Sequence, residues 1–105
     1  MKVLLINGSP RKEGNTFTAL NECAKQLETH GIDTEIVWVG TKAARGCIAC
    51  NKCKENANCK CVFDDDITNS VINKMEACDG LIIGAPVYWG QPAAQAMALQ
   101  QRMLY

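Results

Sequence analysis

The sequence predicts an α/β fold built on a parallel sheet, and three features carry that expectation. Val3-Leu4-Leu5-Ile6 and Leu81-Ile82-Ile83 are short, unbroken apolar runs of the kind that strands buried on both faces require. Between them lie a stretch of helical period and a third, alternating run rich in β-branched and aromatic residues. Each buried run ends in a loop bearing glycine and proline, "GSPRKEGN" after the first and "PVYWGQP" after the last.

Taken in order, Val3 to Ile6 form strand one. After the "GSPRKEGN" break a helix is expected from Asn15 or Thr16, with Phe17, Leu20, Ala24 and Leu27 on one face and Gly31 as its stop. "DTEIVWV", residues 33 to 39, reads as strand two. Strand, helix and strand make a βαβ unit, whose right-handed crossover pairs strands one and two in parallel. Residues 41–63 carry little apolar period and read as a long irregular loop holding five of the seven cysteines. Asp64, Asp65 and Asp66 then offer a cap for a helix with Ile67, Val71 and Met75 on its apolar face, ending near Cys78 and Asp79. Leu81 to Ala85 form strand three, stopped by Pro86. Pro92 is placed to open a last helix that runs to Tyr105.

With 105 residues, 48% of them hydrophobic, the chain forms one small domain. Eleven basic and eleven acidic residues cancel, so no broad attraction to nucleic acid or an acidic membrane is expected. No cleavable leader and no apolar span of membrane length stand out, and the expected location is the cytoplasm. In that reducing setting a cysteine cluster points to metal or redox chemistry rather than to disulfides.

Ligands of open parallel sheets bind beyond the carboxyl ends of the strands. The loop from Gly8 to Thr16 joins strand one to a helix N-terminus, where backbone N–H groups and the helix dipole can hold a phosphate. Ser9, Asn15 and Thr16 add polar donors, and Arg11 and Lys12 add charge. The loop is neither a dinucleotide fingerprint nor the phosphate loop of nucleotide hydrolases. After strand three, Pro86, Val87, Tyr88, Trp89 and Gly90 offer aromatic walls for a planar ring and a glycine that lets backbone approach it. Phosphate at one end and a flat ring at the other is the outline of a mononucleotide cofactor.

Cys47, Cys50, Cys53 and Cys59 read C-x2-C-x2-C-x5-C, with Cys61 an alternative fourth member. Such compact spacing suits a cubane cluster better than mononuclear zinc, although zinc and free redox thiols stay open. Cys23 and Cys78 read as small buried hydrophobes, and His30 as a solvated residue at a helix end.

"GSPRKEGNT", "GCIACNKC" and "GAPVYWG", in that order, resemble the flavodoxin-like NAD(P)H-dependent flavin mononucleotide (FMN) reductases, in particular their iron-sulfur flavoprotein branch. The resemblance implies FMN held by Ser9, Arg11, Asn15 and Thr16 at its phosphate and by Pro86 to Gly90 along its isoalloxazine ring. It implies a [4Fe-4S] cluster on Cys47, Cys50, Cys53 and Cys59. The family's sheet has five strands in the order 2-1-3-4-5, of which three are found here, so the chain reads as the N-terminal portion of such a domain. Its terminal helix, "QPAAQAMALQQRMLY", also departs from the family's pattern. Three functions follow as expectations: an oxidoreductase passing electrons from NAD(P)H through FMN to a small-molecule acceptor, an electron carrier with FMN and a cluster, or a non-catalytic metal-binding fragment. An exposed edge on strand three adds the expectation of a homo-oligomer.

Overall fold

The structure, a computed structural model, describes residues 1–42 and 44–104. Strand β1 (Lys2–Asn7) lies between β2 (Asp33–Trp38) and β3 (Gly80–Gly84) in a parallel sheet of order β2-β1-β3. Lys2 pairs with Asp33 and Asn7 with Trp38 on one side, while Val3 pairs with Gly80 and Asn7 with Gly84 on the other. The two crossovers run through helix α1 (Asn15–Thr29) and helix α3 (Thr68–Glu76).

Because side chains alternate along a strand, the continuous apolar run of β1 feeds two cores at once. Leu4 and Ile6 join Val39, Val71, Ile72, Leu99 and Met103 on the face covered by α3 and by helix α4 (Ala94–Leu104). Val3 and Leu5 join Leu20 and Ala24 of α1 on the other face. Leu4, Leu5 and Ile6 are essentially inaccessible, and each such side chain contributes about 1.5–3 kcal/mol of burial free energy. No described helix is long and apolar enough to cross a membrane.

Four sequence expectations are corrected. Residues 41–63 are not irregular throughout, because a short helix, α2 (Lys52–Asn56), forms where the Asn51 carbonyl accepts N–H bonds from Lys54 and Glu55 at 3.1 Å. The segment after Pro86 is a hairpin in which β4 (Val87–Tyr88) pairs with β5 (Gln91–Pro92). Trp89 and Gly90 turn it with φ of 56° and 72°, both positive, as a two-residue hairpin loop of matching twist demands. Pro92 is therefore used by the hairpin, and α4 starts at Ala94, not at Pro92. The Ala93 N–H closes the hairpin base on the Pro86 carbonyl at 3.0 Å. Cys23 is exposed on α1 rather than buried, since its neighbours Leu20 and Ala24 take the inward face. Tyr105, the expected last helical residue, lies outside the described residues.

Other expectations hold. The Asp66 carboxylate accepts the Thr68 N–H at 2.9 Å and so caps α3 from one residue further back. The expectation of a buried Cys78 holds only in part: it is half-buried, packed against the core with its thiol directed to the Met75 carbonyl. His30 sits exposed at the end of α1, its Nδ1 2.9 Å from the Gln26 carbonyl oxygen.

Candidate functional site

Register places the carboxyl ends of β1 and β3 side by side, Asn7 against Gly84, so the loops that follow them are neighbours. The Gly8 N–H extends the pairing by one bond to the Gly84 carbonyl at 2.8 Å. A Cβ at Gly8 would stand 2.5 Å from the Ala96 Cβ, so α4 packs directly on the loop backbone.

The loop from Gly8 to Gly14 is shaped from within. Asn7 is fully buried, accepts the Ser9 N–H at 3.1 Å and donates to the Lys12 carbonyl at 3.0 Å, which bends the chain around its amide. Ser9 Oγ accepts the Arg11 N–H at 3.1 Å and keeps its own hydroxyl proton to donate. From β2, the Trp38 indole N–H donates to the Ser9 carbonyl at 2.8 Å, and the Lys12 ammonium lies 5.8 Å from the Trp38 ring centroid.

Helix α1 starts after Gly14, an extended residue with no side-chain cap, and carries no acidic residue in its first turn. Its first N–H groups lack intrahelical partners, and its positive dipole end meets no carboxylate of its own. This is the local chemistry of an anion site. Among the expected phosphate-binding residues, Ser9 is buried, Thr16 is half-buried, and Arg11 and Asn15 are exposed, all on this one loop and helix end.

Across the sheet end, Pro86 is half-buried and Val87, Tyr88, Trp89 and Gly90 are exposed on the hairpin. Trp89 is wholly accessible at the turn. The structure therefore brings the two expected loops to one end of the sheet and leaves an aromatic surface on the second.

The cysteines are not brought together in the same way. Cys47 lines a hollow with Gln100, Gln101 and Leu104, its N–H directed to Gln101 Oε1 at 3.4 Å. Cys50 is exposed. Cys53 and Cys59, with Cys61, line a separate cleft of about 560 Å³ against Ile72, Met75 and Met103. Among the described residues, no group of three or more Cys, His, Asp or Glu side chains is arranged to hold a metal ion. Ala49 and Asn51, on either side of Cys50, have left-handed backbone, and Cys53 follows on α2.

Residues 1–103 match the family described as NADPH-dependent FMN reductase. The chain belongs to that family. It is 41% identical over 102 residues to an iron-sulfur flavoprotein of Methanocaldococcus jannaschii, a match covering 97% of this chain and 51% of the relative. An iron-sulfur flavoprotein of Methanosarcina thermophila is 36% identical over 102 residues, covering 97% and 52% respectively. One from Archaeoglobus fulgidus is 36% identical over 104 residues, covering 99% and 46%. The chain thus spans about half the length of these curated relatives. The match to the FMN reductase family runs through both loops at the sheet end and through the cysteine segment alike.

Four positioning residues escape motif reading: Asn7, Trp38, Asn69 and Arg102. Asn7 has a sequence signal, a polar residue closing a buried apolar run immediately before a glycine loop. Trp38 and Arg102 act on partners far away in the chain, and Asn69 on the nearby Cys61 and Asp64, and none of the three leaves a motif.

Proposed function

We propose that this chain binds FMN at the shared end of β1 and β3, with the phosphate on Ser9, Arg11, Asn15 and Thr16 and the isoalloxazine ring along Pro86 to Gly90. The observation that carries the reading is the N-terminus of α1, with no side-chain cap and no acidic residue in its first turn, beside an exposed aromatic hairpin, in a chain of the FMN reductase family. The donor set fits the cofactor. Backbone N–H groups of α1 and the Arg11 guanidinium neutralise a phosphate, and the Ser9 hydroxyl donates to it. Tyr88 and Trp89 give a ring an apolar wall, and Gly90 lets the hairpin backbone come close to it.

The proposed activity is oxidation of NAD(P)H coupled to reduction of a small-molecule acceptor. FMN, when bound, supplies the hydride and electron chemistry, while the protein's residues bind, orient and shield. A second reading, an electron carrier with FMN and a [4Fe-4S] cluster, draws on the likeness to iron-sulfur flavoproteins. Among the described residues the cysteines are not arranged as a ligand set.

Fluorescence-quenching titration with FMN tests the site. Arg11→Ala with Thr16→Ala should weaken FMN by about 1–3 kcal/mol through lost charge-assisted hydrogen bonds. Riboflavin, which lacks the phosphate, should bind the parent more weakly than FMN does, and the double variant about as well as FMN. Unchanged FMN affinity in the double variant would remove the assignment. NAD(P)H oxidation with added FMN separates the enzyme from the carrier, and iron and zinc contents of anaerobically purified protein decide the metal.

A further inference from the structure

The cysteine segment is closed at both ends by one side chain from α4. Arg102 Nη1 donates to the Arg45 carbonyl at 3.3 Å, and Nη2 donates to the Phe63 carbonyl at 2.6 Å. The same Nη1 pairs with the Asp66 carboxylate, whose Oδ2 also accepts the Arg45 N–H at 3.4 Å. Arg45 and Phe63 flank the stretch that carries Cys47, Cys50, Cys53, Cys59 and Cys61. The Arg102 side chain is only 2% exposed, so this grip is made out of water.

A second hold lies just inside the first. Asn69 on α3 accepts the Cys61 N–H at 2.8 Å and donates to the Cys61 carbonyl at 2.9 Å, with a further bond to Asp64 at 3.2 Å. Cys61 is thereby held on both sides of its backbone.

The segment itself resists this shape. Ala49, Asn51, Ala57 and Cys59 have φ of 57°, 63°, 51° and 60°, left-handed conformations that alanine and cysteine seldom adopt. Such backbone persists only where the surroundings over-determine it, and it gathers at functional sites. The hold is not an economical way to gain stability either. A buried ion pair is weak evidence for stabilisation, and Arg102 Nε is left buried without a hydrogen-bond partner.

We propose that Arg102 is the positioning residue of the cysteine segment: its guanidinium, countered by Asp66, fixes the stem through the Arg45 and Phe63 carbonyls and so sets how the thiols are presented. The partners of Arg102, namely Arg45, Phe63 and Asp66, lie outside the two loops proposed to hold FMN, and the proposal stands apart from the FMN reading.

The test is thiol reactivity resolved by residue, with reduced full-length chain reacted anaerobically with an aromatic disulfide reagent and labelled sites mapped by mass. Cys47 and Cys53 are the half-buried reporters, and half-buried Cys78 and exposed Cys23 are references outside the segment. Arg102→Met, which fills similar space, should raise both reporter rates at least tenfold and leave Cys78 and Cys23 unchanged. Arg102→Lys keeps a charge for Asp66 but cannot span two carbonyls, and should give intermediate rates. Asp66→Asn, the milder variant if Arg102→Met does not fold, should shift the same reporters in the same direction. Reporters that stay at parental rates, or references that rise in step with them, would overturn the assignment.

Discussion

The Trp38 indole N–H donates to the Ser9 carbonyl at 2.8 Å across 29 positions of sequence, tying the end of β2 to the loop after β1. A tryptophan at the end of a strand is usually read as packing. Here its polar edge fixes a peptide in the turn after β1, while its face lies near the Lys12 ammonium. Trp38→Phe keeps an aromatic face and removes the donor. Loss of one part-buried hydrogen bond should cost about 1 kcal/mol of loop order, and FMN affinity should fall by a few-fold while riboflavin affinity stays nearly constant. Parallel titrations of the two flavins check this; equal losses for both would mean that Trp38 supports the whole domain and not the phosphate end.

Gly8 provides a steric test of the same loop. A methyl group at this position meets the Ala96 Cβ at 2.5 Å and the Gly84 carbonyl at 3.1 Å, neither of which is a flexible side-chain end. Gly8→Ala must therefore push the loop off α4 or move α4 itself, an overpacking cost of about 1–3 kcal/mol. Urea unfolding should show a lower midpoint, and Ala96→Gly in the same chain should recover part of it. A midpoint equal to the parent's would refute the close approach.

How much of this was legible in advance depended on range along the chain. The strands were legible because runs such as Val3 to Ile6 state their burial locally; the pairing of strands one and two followed from the crossover rule, and the order 2-1-3 from the family resemblance. Helix α1 was legible from Leu20, Ala24 and Leu27. The hairpin was not, since Trp89 is a poor match to the Asn-Gly type of turn that signals positive φ at both positions. Helix α2 was not, because its five residues are set by left-handed turns at Asn51 and Ala57 and not by an apolar period. The loops after β1 and β3 could be picked out from residue type and place after a strand, while the expectation of a flavin there came from the family resemblance. The supports of the cysteine segment could not, as Arg102 reaches partners 36 to 57 positions away.

Acid should loosen the cysteine segment before the sheet. Burial raises the Asp66 carboxyl pKa, but hydrogen bonds from Thr68 and pairing with Arg102 outweigh it and leave the pKa below its ordinary 3.8. A carboxylate with a depressed folded pKa contributes stability that is complete above its unfolded value and is lost as pH falls through the folded one. Limited proteolysis within residues 46–62 should therefore speed up below about pH 4, the unfolded aspartate range. Other carboxylates titrate nearby, Glu35 among them, lowered by hydrogen bonds from Lys74 and Lys2. The difference between the parent and Asp66→Asn isolates the one group. The variant should start with faster cleavage at neutral pH and show a weaker acid response; identical profiles would separate Asp66 from the effect.

The edge of β3 bears on assembly. Among the described residues its strand partner is β1 alone, so one row of its backbone N–H and C=O groups faces away from the sheet. Leu81, Ile82 and Ile83 are only half-buried there, although their apolar run is of the kind that is covered on both faces in parallel sheets. Exposed apolar groups add to the case: Val87 at 71%, Trp89 at 100% and Leu104 at 65%. Unpaired edges and apolar surface of this kind template association. The 105-residue chain is accordingly expected to self-associate, with folding and assembly linked so that dilution lowers helicity and flavin affinity together. Sedimentation across a wide concentration range, run beside far-ultraviolet circular dichroism on the same samples, checks both halves of the expectation. A compact, fully folded monomer at low micromolar concentration would show that β3 tolerates its open edge and that assembly is not part of the fold.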